Sequence, residues 1–379
     1  MQFDRQKAAR IAPAVRMLLK ENDSIIVTFK SDDSILESLK DEQAFLAVSG
    51  INTVYIPECS DENEQYDILK QRIEAYKKEN NKLPTNVAVQ NLGIYYVRSN
   101  DTAGKGRLND KIVIVTGSAQ GFGKGIAEEM AKEGANIVFA DLNEELARKN
   151  AENICNQYGK DKAIAVKVDV SNEESVNNMM IETVLAYGGI DVFVNNAGVL
   201  RAGGLDEMDL KTFEFVTKVN YTAYFICTKY VSEYMKIQNR FDKKYFMDII
   251  QINSKSGLEG SNKNFAYAGG KFGGIGLTQS FAKELVEYNI KVNAVCPGNF
   301  FDGPLWSDPE NGLFVQYLRA GKVPGAKTIQ DVKDFYESKV PMGRGCEVMD
   351  VVRAILYIIE QQYETGQALP VTGGQIMLN

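Results

Sequence analysis

Seven short runs rich in Val, Ile and Ala recur along the later two-thirds of the chain, each separated from the next by residues of different texture. They are KIVIVTG (111–117), ANIVFAD (135–141), AIAVKVD (163–169), IDVFVNNAG (190–198), FMDIIQINS (246–254), KVNAVCPG (291–298) and QALPVTGG (367–374). Near-continuous apolar runs of this length mark strands covered on both faces, the condition of a parallel sheet carrying helices on each side. Helices are expected over 121–132 and 143–158, between the first three runs. Strands and helices in alternation give an α/β fold, a doubly wound parallel sheet of the Rossmann type.

The first 98 residues follow no such rhythm. Their pattern predicts a helix over 5–20, a strand over 24–29, a helix over 32–48, a strand over 53–56 and a helix over 66–79. Two further strands, NVAVQ and IYYV, flank a turn at 91–93. This segment is expected to be a small N-terminal α+β domain, 1–98. A stretch rich in Gly, Asn and Asp, 99–109, reads as a linker, and 110–379 as the Rossmann domain. No internal repeat or low-complexity tract is present.

The 379 residues include no histidine. Imidazole is the usual proton-transfer group near neutral pH, so acid–base chemistry here falls to a carboxylate, a lysine, a thiol or a tuned tyrosine. A net charge of −7 without a basic-aromatic stripe argues against nucleic acid as a partner. No apolar run approaches the ~20 residues of a membrane span, and residues 1–13 carry no apolar signal core. Five dispersed cysteines, Cys59, Cys155, Cys227, Cys296 and Cys346, form no CxxC and have no histidine to join them at a metal. The expectation is a cytoplasmic protein with reduced thiols and no metal.

TGSAQGFG (116–123) places Gly117, Gly121 and Gly123 between a strand and a helix. Such a turn lets backbone N–H groups approach a pyrophosphate at the positive end of the helix. Asp141 ends the next strand, 18 residues beyond Gly123, where a carboxylate accepts from a ribose 2′-hydroxyl and repels a 2′-phosphate. Neither Ser118 nor Leu142 supplies a cation for that phosphate, so NAD is favoured over NADP. A mere helix cap is the other reading of Asp141, although Asn143 is as well placed for it.

Downstream, Tyr267 and Lys271 stand four apart in YAGGK, thirteen residues after Ser254 in INSKSG. A tyrosine with an ordinary pKa of about 10 needs help to transfer protons at pH 7, and a cation one helical turn away is suitable help. Taken singly, Tyr267 and Lys271 read first as an amphipathic helix surface, and Ser254 as a strand-end hydroxyl.

In company, the motifs resemble the short-chain dehydrogenase/reductase family over about 270 residues, 110–379. TGxxxGxG at 116–123, Asp169–Val170, NNAG at 195–198, Asn220, Ser254, the Tyr267–Lys271 pair and Pro297–Gly298 carry the resemblance. It implies that Tyr267 is the general acid/base, that Ser254 hydrogen-bonds the substrate oxygen, and that Asn220 holds a water in the proton relay. Lys271 would bind the nicotinamide ribose and lower the tyrosine pKa. Cofactor contacts are implied for Gly117, Gly121, Phe122, Gly123, Asp141, Leu142, Asp169, Val170, Asn196, Ala197, Gly198, Tyr267, Lys271, Pro297 and Gly298. The family also implies a homo-oligomer, tetramer or dimer, built through 209–238 and 267–288. Three departures stand out: Gly269–Gly270 in place of Ala-Ser, no threonine in NFFDGPLW after Pro297–Gly298, and Thr372 where aspartate is frequent.

INSKSG, KFGGIGLTQS (271–280) and the ending RGCEVMDVV…TGQALPVTGGQIM are similar to the sorbitol-6-phosphate 2-dehydrogenase subgroup, which oxidises a phosphorylated hexitol with NAD. The implied substrate is a polyol or sugar-alcohol phosphate, with Lys255, Lys263 and Arg201 as candidates for its phosphate. The segment 300–339 takes the place of a substrate-covering loop, in which Phe300, Phe301 and Trp306 either line the pocket or pack. Alternative readings are a reductase of a small aldehyde, ketone or ketoacyl substrate, and a non-enzymatic nicotinamide-binding scaffold. Residues 1–98 resemble the later part of a class II aldolase-like domain. Such aldolases bind zinc through histidines, so here a non-catalytic remnant used for assembly, or an unrelated accessory domain, is expected.

Overall fold

A computed structural model describes residues 3–21, 25–49, 52–98, 106–310, 312–319 and 321–377. Helix α1 (Arg5–Leu19) begins at Asp4, whose carboxylate accepts the Lys7 N–H at 2.9 Å. Ala8, Ala9, Ile11, Ala12 and Val15 are buried, so α1 is an internal helix, with Pro13 inside it omitting one backbone donor. Next come β1 (Val27–Lys30), α2 (Asp33–Ser38), α3 (Glu42–Ser49), β2 (Thr53–Ile56), α4 (Glu62–Asn80), β3 (Asn86–Val89) and β4 (Gly93–Val97). The single helix expected over 32–48 is broken in two because two aspartates cap it. Asp32 accepts from Ile35 N–H and Asp41 from Ala44 N–H, both at 2.8 Å. Helix α4 starts earlier than 66, where Asp61 caps it. The four strands pair in the order β1-β4-β3-β2, parallel only between β2 and β3. Gly93 closes the β3–β4 turn at φ +152°; a Cβ there would stand 2.5 Å from the Lys30 carbonyl oxygen.

The seven apolar runs form β5 (Ile112–Thr116), β6 (Asn136–Asp141), β7 (Ala163–Lys167), β8 (Val192–Asn195), β9 (Met247–Ile252), β10 (Ile290–Pro297) and β11 (Ala368–Val371). All pair in parallel, in the order β11-β10-β9-β8-β5-β6-β7. Helices α5 (Gly121–Lys132), α6 (Glu144–Tyr158), α7 (Glu173–Tyr187), α8 (Leu210–Thr217), α9 (Ala223–Phe241) and α10 (Phe265–Leu285) connect the first six of these strands. After β10 come α11 (Pro304–Ser307), α12 (Leu313–Arg319), α13 (Ile329–Ser338) and α14 (Val348–Glu360). One face of the sheet packs on α5, α6 and α14 through Ile126, Ala147, Ile154, Val351 and Ile355. The other packs on α7, α9 and α10. Strand order reverses between β5 and β8, and ligands bind outside the carboxyl ends of the strands at such a switch point.

The N-terminal segment is fused to that second face. Helix α1 lies against α7 and α9, and its apolar side chains belong to the same continuous core as Val176, Val184, Val231 and Ile249. Arg16 is fully buried and donates to both carboxylate oxygens of Asp191, each at 2.8 Å, while its Nε donates to the Ile25 carbonyl at 2.7 Å. Asp191 also accepts the Ile112 N–H at 2.8 Å. Burial opposes ionisation of Asp191, yet Arg16 and the other donors more than offset it and hold the carboxyl below its usual range. Of the stretch expected as a linker, 99–105 lies outside the described residues. Leu108 is buried and Arg107 pairs with Glu360 at 2.6 Å through two nitrogens, so 106–109 is docked on the sheet domain. Among the described residues, no helix is long and apolar enough to cross a membrane.

Candidate active site

The glycine-rich turn leaves β5 and enters α5. Gly117 (φ +64°) and Gly121 (φ +61°) adopt left-handed backbone, and a Cβ on Gly123 would stand 2.2 Å from the Gly117 carbonyl oxygen. Gln120, at the helix start, makes no side-chain cap, so the first N–H groups of α5 face the turn without a side-chain acceptor. Asn196 clamps the turn from β8: its Nδ2 donates to Thr116 O at 2.9 Å and Gly117 O at 3.1 Å. Asn150 does so from α6, donating to Ser118 O and Ala119 O at 3.3 and 3.0 Å. Asn150 gives no signal in the sequence, being an ordinary helical Asn until the strands are paired, whereas Asn196 is reached through NNAG, as a cofactor contact and not as a clamp.

Asp141 sits at the end of β6 beside this turn. Its Oδ2 accepts the Ala119 N–H at 2.9 Å and its Oδ1 the Asn143 N–H at 2.8 Å, while Asn143, not Asp141, caps α6. Each oxygen keeps a second lone pair for a ribose hydroxyl. Leu142 is largely exposed next to it. Asp169 holds its own loop by accepting from Ser171 N–H and Oγ–H at 2.9 and 2.7 Å, and Val170 is buried. At the far end, Gly298 donates to Val371 O at 2.8 Å. Gln375 Oε1 lies 3.1 Å from where its Cβ would stand and is buried without a partner among the described residues. A turn of unblocked N–H groups, a carboxylate beyond it and an unpartnered acceptor at the other end fit the pyrophosphate, ribose and carboxamide of a nicotinamide dinucleotide.

Ser254, Tyr267 and Lys271 converge at the ends of β9 and α10. Ser254 accepts the Ser256 N–H at 3.1 Å and hydrogen-bonds the Tyr267 hydroxyl. Lys271 donates its ammonium to Ile252 O at 2.8 Å and stands 5.5 Å from the Tyr267 ring centroid. Burial pushes the Tyr267 hydroxyl up, and the Ser254 hydrogen bond works against that rise. Burial pulls Lys271 down to about 8. The unusual Gly269–Gly270 pair does not interrupt α10. A Cβ on Gly269 would meet nothing within 4 Å, whereas one on Gly270 would lie 3.4 Å from Asn220 Cβ.

Asn220 occupies a π-helical turn, Lys218–Thr222, that inserts between α8 and α9. Its Nδ2 donates to Val199 O at 2.7 Å and Val216 O at 3.0 Å, and its Oδ1 accepts the Val199 N–H at 3.2 Å. Both amide hydrogens are therefore spent, one tying the segment after NNAG to the site and the other returning to α8. Gly198 gives Asn220 room, since a Cβ there would stand 2.7 Å from Oδ1.

Helices α11, α12 and α13 and the residues around them build a core of their own, Phe301, Trp306, Leu313, Phe314, Val323 and Val332. Trp306 and Phe301 are packing residues. Phe300 reaches the glycine-rich turn instead and stacks on Phe122 at 4.3 Å between centroids. Lys255 directly follows Ser254. Lys263 pairs with Glu207 at 3.3 Å. Arg201 is exposed, donating to Leu200 O and lying 5.8 Å from the Phe215 ring.

Comparison with known proteins agrees with this geometry. A family model described as short chain dehydrogenase matches residues 111–306. The chain is similar to sorbitol-6-phosphate 2-dehydrogenase of Escherichia coli (strain K12), 35% identical over 273 residues that span 71% of this chain and 99% of the relative. It is 33% identical over 270 residues to 3-oxoacyl-[acyl-carrier-protein] reductase FabG of Aquifex aeolicus (strain VF5), covering 71% and 98% respectively. Among solved structures it is similar to sorbitol-6-phosphate 2-dehydrogenase SrlD from Erwinia amylovora, with a TM-score of 0.65 and 36% identity over 70% of this chain and 100% of that one.

Proposed function

The chain belongs to the short-chain dehydrogenase/reductase family and is an oxidoreductase acting on CH–OH groups; on that premise we propose that it interconverts a secondary alcohol and a ketone of a polyol or polyol phosphate with NAD. The observation that carries this reading is the convergence of Ser254, Tyr267 and Lys271 at the carboxyl ends of the strands.

The glycine-rich turn, Asp141 and the Pro297–Gly298 end would hold the dinucleotide. When bound, its nicotinamide supplies the hydride acceptor. Tyr267 takes the proton of the substrate hydroxyl in oxidation and returns it to the developing alkoxide in reduction. Ser254 donates a second hydrogen bond to that oxygen, placing it against the phenol. Lys271, held on the Ile252 carbonyl, keeps a positive charge beside the ring and so favours the tyrosinate. Asn220 fixes the backbone that walls this relay. NAD is preferred because Asp141 offers lone pairs where NADP carries a phosphate.

Phe213, Phe225 and Phe272, on α8, α9 and α10, are exposed, which supports a homo-oligomer through those helices. The N-terminal segment touches α7, α9 and, through Arg16, the start of β8, the end of the sheet opposite the site. A role in assembly rather than catalysis follows for it. The deciding experiment is a screen of phosphorylated and free polyols by NADH absorbance. A strong signal confined to free polyols removes the phosphate part of the reading, and no signal with either removes the whole.

A further inference from the structure

Asn253 stands between Ile252, the last residue of β9, and Ser254, and it is buried. Its backbone N–H donates to Val295 O of β10 at 2.7 Å, so the sheet still holds it. The side-chain amide then reaches in two directions. Oδ1 accepts the Ser254 N–H at 2.8 Å, and Nδ2 donates to the Lys271 carbonyl at 2.9 Å. Nδ2 also donates to Oε1 of the buried Gln251 at 2.8 Å. These partners fix which way round the amide sits, because a turned amide would face two acceptors with its oxygen and a donor with its nitrogen.

Lys271 is thereby tied at two points to consecutive residues, its Nζ to Ile252 O at 2.8 Å and its carbonyl to Asn253. The next residue in the chain is Ser254, whose hydroxyl meets that of Tyr267. The fit is close: a Cβ on Gly257 would stand 2.1 Å from Asn253 Oδ1 and 3.1 Å from the Lys271 carbonyl carbon. A bridge between a strand-end N–H and a helix carbonyl needs an acceptor on one arm and a donor on the other. An amide supplies both, a carboxylate supplies acceptors alone, and an aliphatic side chain supplies neither.

We infer that Asn253 is a positioning residue of the proton relay, bridging the Ser254 N–H and the Lys271 carbonyl so that the serine hydroxyl and the lysine ammonium keep one fixed spacing at Tyr267. This rests on the catalytic reading above and adds the group that holds its members in register. With the bridge cut, Ser254 and Lys271 are free to shift independently. Tyr267 then loses part of the Ser254 hydrogen bond that works against the upward push of burial, and its ionisation moves to higher pH.

The test compares full-length Asn253→Ala and Asn253→Asp with the parent protein. Rates are expressed per NADH-binding site, counted by fluorescence titration, so that unfolded molecules drop out. Asn253→Ala should lower kcat by about 10–10²-fold, the scale of a small misplacement of catalytic groups. The pH profile of kcat for alcohol oxidation should move to higher pH by about 0.5–1 unit. Loss of packing alone lowers the number of sites and leaves the profile in place, so an unshifted profile overturns the inference. Asn253→Asp keeps the acceptor for Ser254 and regains a donor toward Lys271 O only when protonated, which burial favours. Its rate of ketone reduction relative to the parent should climb as pH falls from about 8 to about 6, while that of Asn253→Ala should not. A flat ratio for Asn253→Asp, or an equal climb in both variants, also overturns the inference. If the parent turns over no polyol and no ketone, the catalytic reading fails instead. The register is then judged without turnover, from the tyrosinate absorbance of each protein minus that of its Tyr267→Phe counterpart. The midpoint of that difference should rise in Asn253→Ala, and an unmoved midpoint rejects the bridge.

Discussion

Arg16 in α1 and Asp191 at the foot of β8 form a two-pronged ion pair across 175 residues of sequence, 2.8 Å at each contact, with neither side chain exposed. Removing one partner of such a pair leaves the other charge buried and alone, at a cost of about 3–5 kcal/mol. Arg16→Met should lose that much stability in urea unfolding of the full-length protein, and Arg16→Met/Asp191→Asn should lose less than the sum of the two single changes. A single-variant cost below about 1 kcal/mol would show that the N-terminal segment is not anchored there.

Asp141 ties the glycine-rich turn through Ala119 and, in the function proposed above, also faces the ribose. Asp141→Arg should therefore shift preference from NAD toward NADP and weaken NAD binding at least tenfold, the latter partly from a loosened turn. Dissociation constants for NADH and NADPH from fluorescence titration check this. Unchanged selectivity would sink the ribose argument.

Tyr267→Phe removes the only proton-transferring atom of the ring and leaves its packing. Turnover should fall by about 10²–10⁴-fold while NADH still binds as tightly as to the parent protein. Near-normal rates would assign the proton transfer to another group.

Lys271 has its pKa drawn down to about 8 by burial, from an ordinary value of 10.5. Between those pH values the unfolded chain binds more protons than the folded one, so this residue's contribution to stability rises as pH rises from 8 to 10.5. Below pH 8 the folded protein carries a charged, buried lysine at a cost of about 3 kcal/mol. Part of that is offset by the hydrogen bond to Ile252 O. Lys271→Met should thus be inactive yet more stable than the parent at pH 7 by about 1–2 kcal/mol, with the gain vanishing toward pH 10.5. Thermal or urea unfolding at pH 7 and 10 measures it, and a variant less stable at pH 7 contradicts the sign.

Gly269 lies on the exposed side of α10 with open space where a Cβ would go. Gly269→Ala should stabilise the protein by about 0.5–1 kcal/mol and leave kcat within twofold. A loss of activity would show that Tyr267 and Lys271 depend on a flexible helix start.

The sheet was legible because burial on both faces writes itself into consecutive residues, and all seven apolar runs became neighbouring parallel strands. The catalytic loop and the glycine-rich turn were legible because their chemistry needs fixed spacings. Arg16 was not: on an alanine-rich helix it reads as a surface cation, and its partner is far away in sequence. The break between α2 and α3 carried a readable signal, Asp41 three residues before Ala44, overridden by the apolar pattern around it.

The core shared by α1, α7 and α9 also sets an order of events during synthesis. Arg16 leaves the ribosome 175 residues before Asp191, a wait of roughly 9–35 seconds at the usual rate of about 5–20 residues per second. Until α7 and α9 are made, the apolar side chains of α1, Ala8, Ile11, Ala12 and Val15, have only α4 and the small sheet to cover them. The nascent N-terminal segment must therefore be held by its own small sheet or by a chaperone, and slow decoding ahead of β8 would prolong its exposure to aggregation.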